Sequence, residues 1–364
     1  MIIRFFIMLM ILFSIGEAKK IDIKAIGIPL ADHYASIIAL EKYGQEMKYA
    51  NFSLKFLAGP ELVRAYFYSE SDADIAFNVS PMVLDMYAQK QYFKLVSLIH
   101  RDGNALVVNS VIADKLDLNK DLTKRKPSEN LITFLKDYKN KNGKPVICAI
   151  PSMLSTHTVI LYKYLKDNKI NMMKNSNRED LRVKIVKPLK SPVFLKKKTI
   201  LKEPAMFEQS LPWPQLAQVK NNSQVAWYSK DILKHKFGHI ECVIIAKNKT
   251  IKEKYRALKE VIYYIHKAGR DIETARYKKG KDLEDIVTMI QKYIPSHTKE
   301  GILQSLRTDI NAINYKNLNI DSNAKESLEQ IMNLAFEAGF IKQKVNLDNL
   351  CDESFSTNIT KDEQ

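Results

Sequence analysis

Cysteine, glycine and proline are scarce in this sequence: 3, 11 and 12 residues of 364. The cysteines, Cys148, Cys242 and Cys351, are an odd number at wide spacing. That excludes a disulfide framework and a zinc knuckle and leaves room for one bridge at most. Cys148 and Cys242 each sit inside an apolar, strand-like run and read as small buried core residues. So little glycine and proline excludes long flexible linkers and glycine-rich repeats. The seven histidines are scattered, so no metal site is expected. No glycine-rich phosphate loop, Gly-x-Ser-x-Gly elbow or paired-carboxylate constellation occurs, so the chain is expected to be no enzyme and to need no cofactor. Beyond the N-terminus no apolar stretch approaches the roughly 18–20 residues that span a bilayer.

What is there is an ordinary globular composition, 46% hydrophobic and 27% charged, long enough for about two domains. Lys and Arg outnumber Asp and Glu by 57 to 41, a balance of +16 that favours polyanions, acidic membranes or small anionic ligands. The basic clusters Lys196-Lys197-Lys198 and Lys120, Lys124, Arg125, Lys126 lack interleaved aromatics and any nucleic-acid module, so they read as solvated surface and no nucleic-acid partner is expected. Arg4, the apolar run 5–13 and the small residues up to Ala18 follow the order of a signal peptide cut after Ala18, which implies export to the periplasm.

Along the mature chain, alternation predicts a strand over 21–28, broken by Pro29, then a helix over 34–43. Strands over 52–57 and 74–77 alternate with helices over 60–68 and 81–89, each opened by proline. Apolar runs follow at 95–99 and 105–108, the second leading out of this unit. After a charge-dense connection over 111–143 the rhythm restarts: strand 145–150, helix 155–166, strand 182–186. Two successive strand-helix units argue for an α/β protein of two lobes with a cleft between them. Strand 242–246 and long helices from 252 to 338 follow, with Gly339 as a C-cap. Residues 344–364 read as a polar, frayed tail.

In open parallel sheets ligands gather beyond the carboxyl ends of strands, where helix N-termini offer N–H groups. That selects the loops 29–34, 78–81 and 151–157. Ser155, Thr156 and His157 open a helix and present two hydroxyls and a ring to a small oxyanion. Asp32 and His33 lie in the first such loop. Asn78 and Ser80 follow a buried strand and precede a proline-opened helix. Asn104, in Gly103-Asn104-Ala105, stands at the crossover. Glu203 is out of keeping with an anion unless it holds a cation or an amine.

The order of these motifs resembles the secreted solute-binding components of nitrate, bicarbonate, sulfonate and taurine ABC importers. The resemblance runs through Ile26-Gly27-Ile28-Pro29-Leu30-Ala31-Asp32, Ala73-Asp74-Ile75-Ala76 with Pro81-Met82, Gly103-Asn104-Ala105, Ser155-Thr156-His157, Glu203-Pro204 and His239-Ile240-Glu241-Cys242-Val243, and covers about 25–345. The chain departs from the nitrate branch at Cys242, where a Lys tends to stand, and lacks the Gly-x-Ile-Asp that precedes Glu-Pro. The likeness implies a two-lobed fold of the type II periplasmic-binding-protein kind with extra C-terminal helices. It divides the chain into a signal peptide (1–18), lobe 1 (19–108), lobe 2 (109–239), a return to lobe 1 (240–300), C-terminal helices (301–345) and a polar tail (346–364). It implies a monomer that hands a small, anionic or sulfonate-like solute to an inner-membrane permease. Relatives that use this fold as pyrimidine-precursor or menaquinone biosynthetic enzymes offer a second reading, and a ligand-sensing partner of a membrane receptor a third. The leader peptide weighs against the enzymes, which work in the cytoplasm.

Overall fold

The computed structural model describes residues 19–69, 72–174 and 180–357, so the leader peptide lies outside the described residues. Among them run thirteen strands: β1 (Ile21–Gly27), β2 (Ala50–Phe56), β3 (Ile75–Val79), β4 (Phe93–Leu98), β5 (Arg101–Asp102), β6 (Asn104–Val108), β7 (Val146–Ile150), β8 (Met172–Lys174), β9 (Leu181–Ile185), β10 (Ala205–Ser210), β11 (Gln224–Tyr228), β12 (Cys242–Lys247) and β13 (Ile313–Asn314). They form a five-stranded sheet in the order β2-β1-β3-β12-β4, a six-stranded sheet in the order β11-β6-β10-β7-β9-β8, and a ribbon of β13 with β5. Each large sheet is the centre of one lobe.

Burial explains the strand sequences. β3 and β6 are buried at every position and carry near-continuous apolar runs, and β10 is buried throughout with a polar end at Glu208-Gln209-Ser210, whereas edge strand β2 alternates buried and exposed residues. Both sheets mix parallel pairs with an antiparallel strand delivered by a crossover. β12 runs antiparallel to β3 and β4, and β6 antiparallel to β10 and β11. The run Ala105–Val108 reads as leading out of the first unit, whose division is drawn at 108; these pairings put β6 in the second sheet, so the first crossing lies at β5. The reason is conformational: Asp102 (φ +57°) and Gly103 (φ +104°) turn the chain between β4 and β6. The return crossing follows β11 and passes Gly238 and His239 to β12.

The helices sit as their signals predict. Pro60–Tyr68 and Ser80–Gln89 each carry proline in the first turn. The helical segment Asn248–Lys278, kinked at Lys254 where the backbone leaves the helical region (φ −127°, ψ 23°), lays an apolar stripe from Ala257 to Ile272 on lobe 1. The tail departs from expectation: residues 346–357 are packed, with Leu350 and Phe355 fully buried and Asp352 donating its N–H to the Leu95 carbonyl (2.9 Å) on β4. Sparse apolar residues there fill one groove, which leaves no periodicity to read. All three cysteines are free and buried.

Candidate functional site

The two crossings bring the ends of both sheets together, and polar side chains from both lobes are buried where they meet. Lobe 1 supplies Asp32 and His33 after β1, Ser80 after β3 and His100 after β4. Lobe 2 supplies Asn104 at the start of β6, Thr156 and His157 after β7 and Ser210 at the end of β10. Glu241 enters from the return crossing. Each of these is at most 1% exposed. The lobes touch directly here: Ala31 N–H donates to the Leu211 carbonyl (2.9 Å), and Ser152 Oγ donates to Glu61 Oε1 (2.7 Å).

A chain of contacts runs through the cluster. Ser210 Oγ donates to Asp32 Oδ2 (3.1 Å), and His157 Nε2 lies 2.9 Å from Ser210 Oγ. On the other side of the ring, His157 Nδ1 stands 3.4 Å from Glu241 Oε1. Asn104 Nδ2 donates to Glu241 Oε2 (2.8 Å), and His100 Nε2 is 3.6 Å from Asp32 Oδ2. The Glu241 carbonyl takes a hydrogen bond from each lobe, Ser80 N–H (2.9 Å) and Thr156 Oγ1 (3.3 Å).

Burial sets the protonation. It pushes His157 down to about 3 and His33 down to about 4, so both rings are neutral at pH 7. Burial would raise Asp32, yet His100 beside it outweighs burial and holds that carboxyl below its ordinary range. Glu241 goes the other way: burial first, then the charge of Asp32, raises it well above the carboxylate range, so it keeps its proton. Neutral His157 donates through Nε2–H to Ser210 Oγ, which leaves Nδ1 as a bare acceptor 3.4 Å from Glu241 Oε1. Donors then point one way, from His157 through Ser210, and end on Asp32.

The residues singled out from the sequence divide. Asp32, His33, Ser80, Asn104, Thr156 and His157 come together. His33 packs through its ring on Phe56 and Phe77, donates to the Ile28 carbonyl through Nδ1 and stands 3.4 Å from Cys242 Sγ. Gly27 makes this possible, since a Cβ there would lie 3.0 Å from Phe77 and 3.2 Å from His33. Ser155 is buried but occupied as the helix N-cap, accepting from Thr158 N–H and donating to the Ser152 carbonyl. Asn78 is likewise occupied, bonded to Val79 N–H and to the Pro60 carbonyl. Glu203 does not join the cluster. Its side chain is 38% exposed and pairs with Lys198, the next turn back, which lowers its pKa. His100, Ser210 and Glu241 were not singled out. Their sequence signal is a polar residue set at the end of an apolar run or at a crossing, as in Ala205-Met206-Phe207-Glu208-Gln209-Ser210.

At the hinge itself Asp102 and His239 form a second buried set. His239 N–H donates to Asp102 Oδ1 (3.0 Å), and His239 Nε2 lies 2.9 Å from Ser229 Oγ. Burial pushes Asp102 up to about 7, against the His239 N–H that favours the charge, and pushes His239 down to about 3.

Two mixed sheets joined by paired crossings, with buried polar groups from both halves converging between them, define the class: a two-lobed chain of the periplasmic-binding-protein fold. Within that class the chain belongs to the NMT1-like family, whose profile matches residues 18–285. No curated protein matches the sequence. Solved structures share the fold at low identity. The nitrate-binding protein NrtA from Synechocystis PCC 6803 is 14% identical with a TM-score of 0.73, over 93% of this chain and 87% of that one. The zinc-bound ligand-binding component of an ABC-type import system from Staphylococcus aureus is 16% identical with a TM-score of 0.68, over 92% and 97%. The alkanesulfonate-binding SsuA from Xanthomonas axonopodis pv. citri, bound to MOPS, is 11% identical with a TM-score of 0.64, over 92% and 99%.

Proposed function

We propose that this chain is the solute-binding component of an ABC importer: an exported protein that captures a small molecule between its lobes and delivers it to an inner-membrane permease. The observation that carries the reading is the buried polar cluster drawn from both lobes, because only a site shared by two halves converts binding into closure. A solute touching both halves favours the closed arrangement by its differential contacts, and the permease reads that arrangement. Family membership and the binding-protein neighbours support the role, and the sequence's leader-like N-terminus supports export. No helix of the described residues is long and apolar enough to cross a membrane.

The enzymatic alternative draws little from the site. The thiol nearest an imidazole, Cys242 beside His33, is pushed well up by burial and so is held protonated, opposite to what a nucleophile needs. Native mass spectrometry of gently purified protein, followed by stripping and re-addition of whatever small molecule is released, tests the reading. A retained solute whose return shrinks the radius of gyration is the expected result. A protein that carries nothing and keeps one shape in every extract of its host's growth medium contradicts it.

A further inference from the structure

The sequence's excess of positive charge pointed to an anion, but the cleft is built the other way. Three donors of the interlobe cluster are already given to protein acceptors: Ser210 O–H to Asp32, Asn104 Nδ2 to Glu241 Oε2, and Thr156 O–H to the Glu241 carbonyl. Two buried oxygens that can only accept remain without a partner, Asp32 Oδ1 from lobe 1 and Asn104 Oδ1 from lobe 2; Glu241 Oε1, both ring nitrogens of His100 and Nδ1 of His157 are unpartnered as well. Both oxygens of Glu208, two residues before Ser210 on the same face of β10, are unpartnered as well. No lysine or arginine belongs to this set. The guanidinium nearest in sequence, Arg101, turns to the hinge and donates to the carbonyls of Asn317 and Gly238. An unpartnered buried acceptor is unfavourable, and a solute that brings N–H groups satisfies it while one that brings only oxygens adds to the surplus.

Shape narrows the class further. Among the described residues no three His, Cys, Asp or Glu side chains converge closely enough to hold a metal ion. The free oxygens are spread over two lobes, which suits a planar, polyatomic donor better than a point charge, and the directed chain of hydrogen bonds ends on the charged oxygen pair of Asp32. Carboxylates recognise planar N–H forks through paired, charge-assisted hydrogen bonds.

We propose that the solute of this cleft is a small organic cation with several N–H donors, an amidinium or guanidinium, held by Asp32 from lobe 1 and Asn104 from lobe 2. The proposal rests on the carrier reading above and assigns its ligand class. Asp32 supplies charge and Asn104 the neutral acceptor opposite.

The test is a thermal-shift series, followed by calorimetry, on protein expressed from the full sequence, with millimolar methylguanidine, acetamidine, nitrate, methanesulfonate and Zn2+ as separate probes. The expected result is a raised melting temperature with methylguanidine or acetamidine and none with the two anions. Asp32→Asn is expected to weaken cation binding at least tenfold, and Glu203→Gln to leave it unchanged. A shift with nitrate, methanesulfonate or Zn2+ and none with either cation overturns the proposal while leaving the carrier reading standing. Silence from every probe also overturns it. Silence combined with an unchanged scattering profile in host extracts overturns the carrier reading as well. The wild-type series decides the matter even if Asp32→Asn fails to fold.

Discussion

The cleft and the hinge each bury an aspartate beside a histidine at almost the same separation, 3.6 Å for Asp32 and His100 and 3.4 Å for Asp102 and His239. Their charges nevertheless differ. Asp32 has His100 beside it and a serine hydroxyl donating to it and is held below its ordinary range, whereas Asp102 has chiefly one backbone N–H and is pushed up to about 7. The Arg101 side chain, next in sequence, bonds to carbonyls of the hinge and not to the Asp102 carboxylate. The lesson is that a buried ion pair cannot be read from residue types and distance alone. What decides is how many dipoles and charges are aimed at the carboxylate. The interlobe cluster holds its aspartate below the ordinary range, and burial at the hinge pushes Asp102 up to about 7.

Substitutions that break this contrast range from large effects to small. The largest is expected at Asp102. A carboxyl whose folded value is about 7 and whose ordinary value is 3.8 favours the fold while protonated, and that contribution is lost as pH rises through 7. The shift corresponds to an order-of-magnitude bound of about 4 kcal/mol. Asp102→Asn removes the dependence, so its stability relative to wild type should improve between pH 4 and 8, measured by urea unfolding at both ends. Parallel pH profiles for the two proteins would show that Asp102 is ionised in the fold after all.

Next comes Gly238→Ala. Gly238 sits at φ +89°, and a Cβ would lie 2.4 Å from Asp102 Oδ2. Because Asp102 is pinned by His239, the clash and the backbone strain together should cost about 2–3 kcal/mol. A melting curve unchanged from wild type would mean that the hinge is looser than described.

Asp32→Asn should cost about 1–3 kcal/mol at neutral pH, the scale of an unmade buried hydrogen bond. Here the pH sign is opposite to that of Asp102. Asp32 is lowered in the fold, so its contribution is present above the ordinary value of 3.8 and disappears as pH falls through the folded value. The gap between Asp32→Asn and wild type should therefore close in acid, and a gap that widens there would reverse the assignment. Smallest is Glu203→Gln. This pair with Lys198 is partly exposed, and its loss should change stability by less than about 0.5 kcal/mol.

Much of the fold was legible because its signals are local. The runs at β3 and β12, the proline-opened helices at Pro60 and Ser80, and the N-cap Ser155 each depend on residues within one turn or one strand. The gathering of Asp32, Ser80, Asn104 and His157 was legible too, since strand-ending loops in such sheets share one edge. Glu203 is a candidate only through the Glu-Pro of the resemblance, and its position close behind Lys198 makes it a surface partner outside the cluster. Ser210 and Glu241 went unread for a different reason. Their partners, Asp32 and His157, lie 178 and 84 residues away, and only the crossings bring them into contact. The packed segment 346–357 had no periodic signal, because Leu350, Cys351 and Phe355 fill a groove instead of building a face.

The most direct measurement is a crystal structure of the protein purified with the solute it retains from its source. The solute is predicted between the lobes, in contact with Asp32 from one and with Asn104 or His157 from the other. A bound molecule touching one lobe alone, or seated away from these residues, would contradict the account.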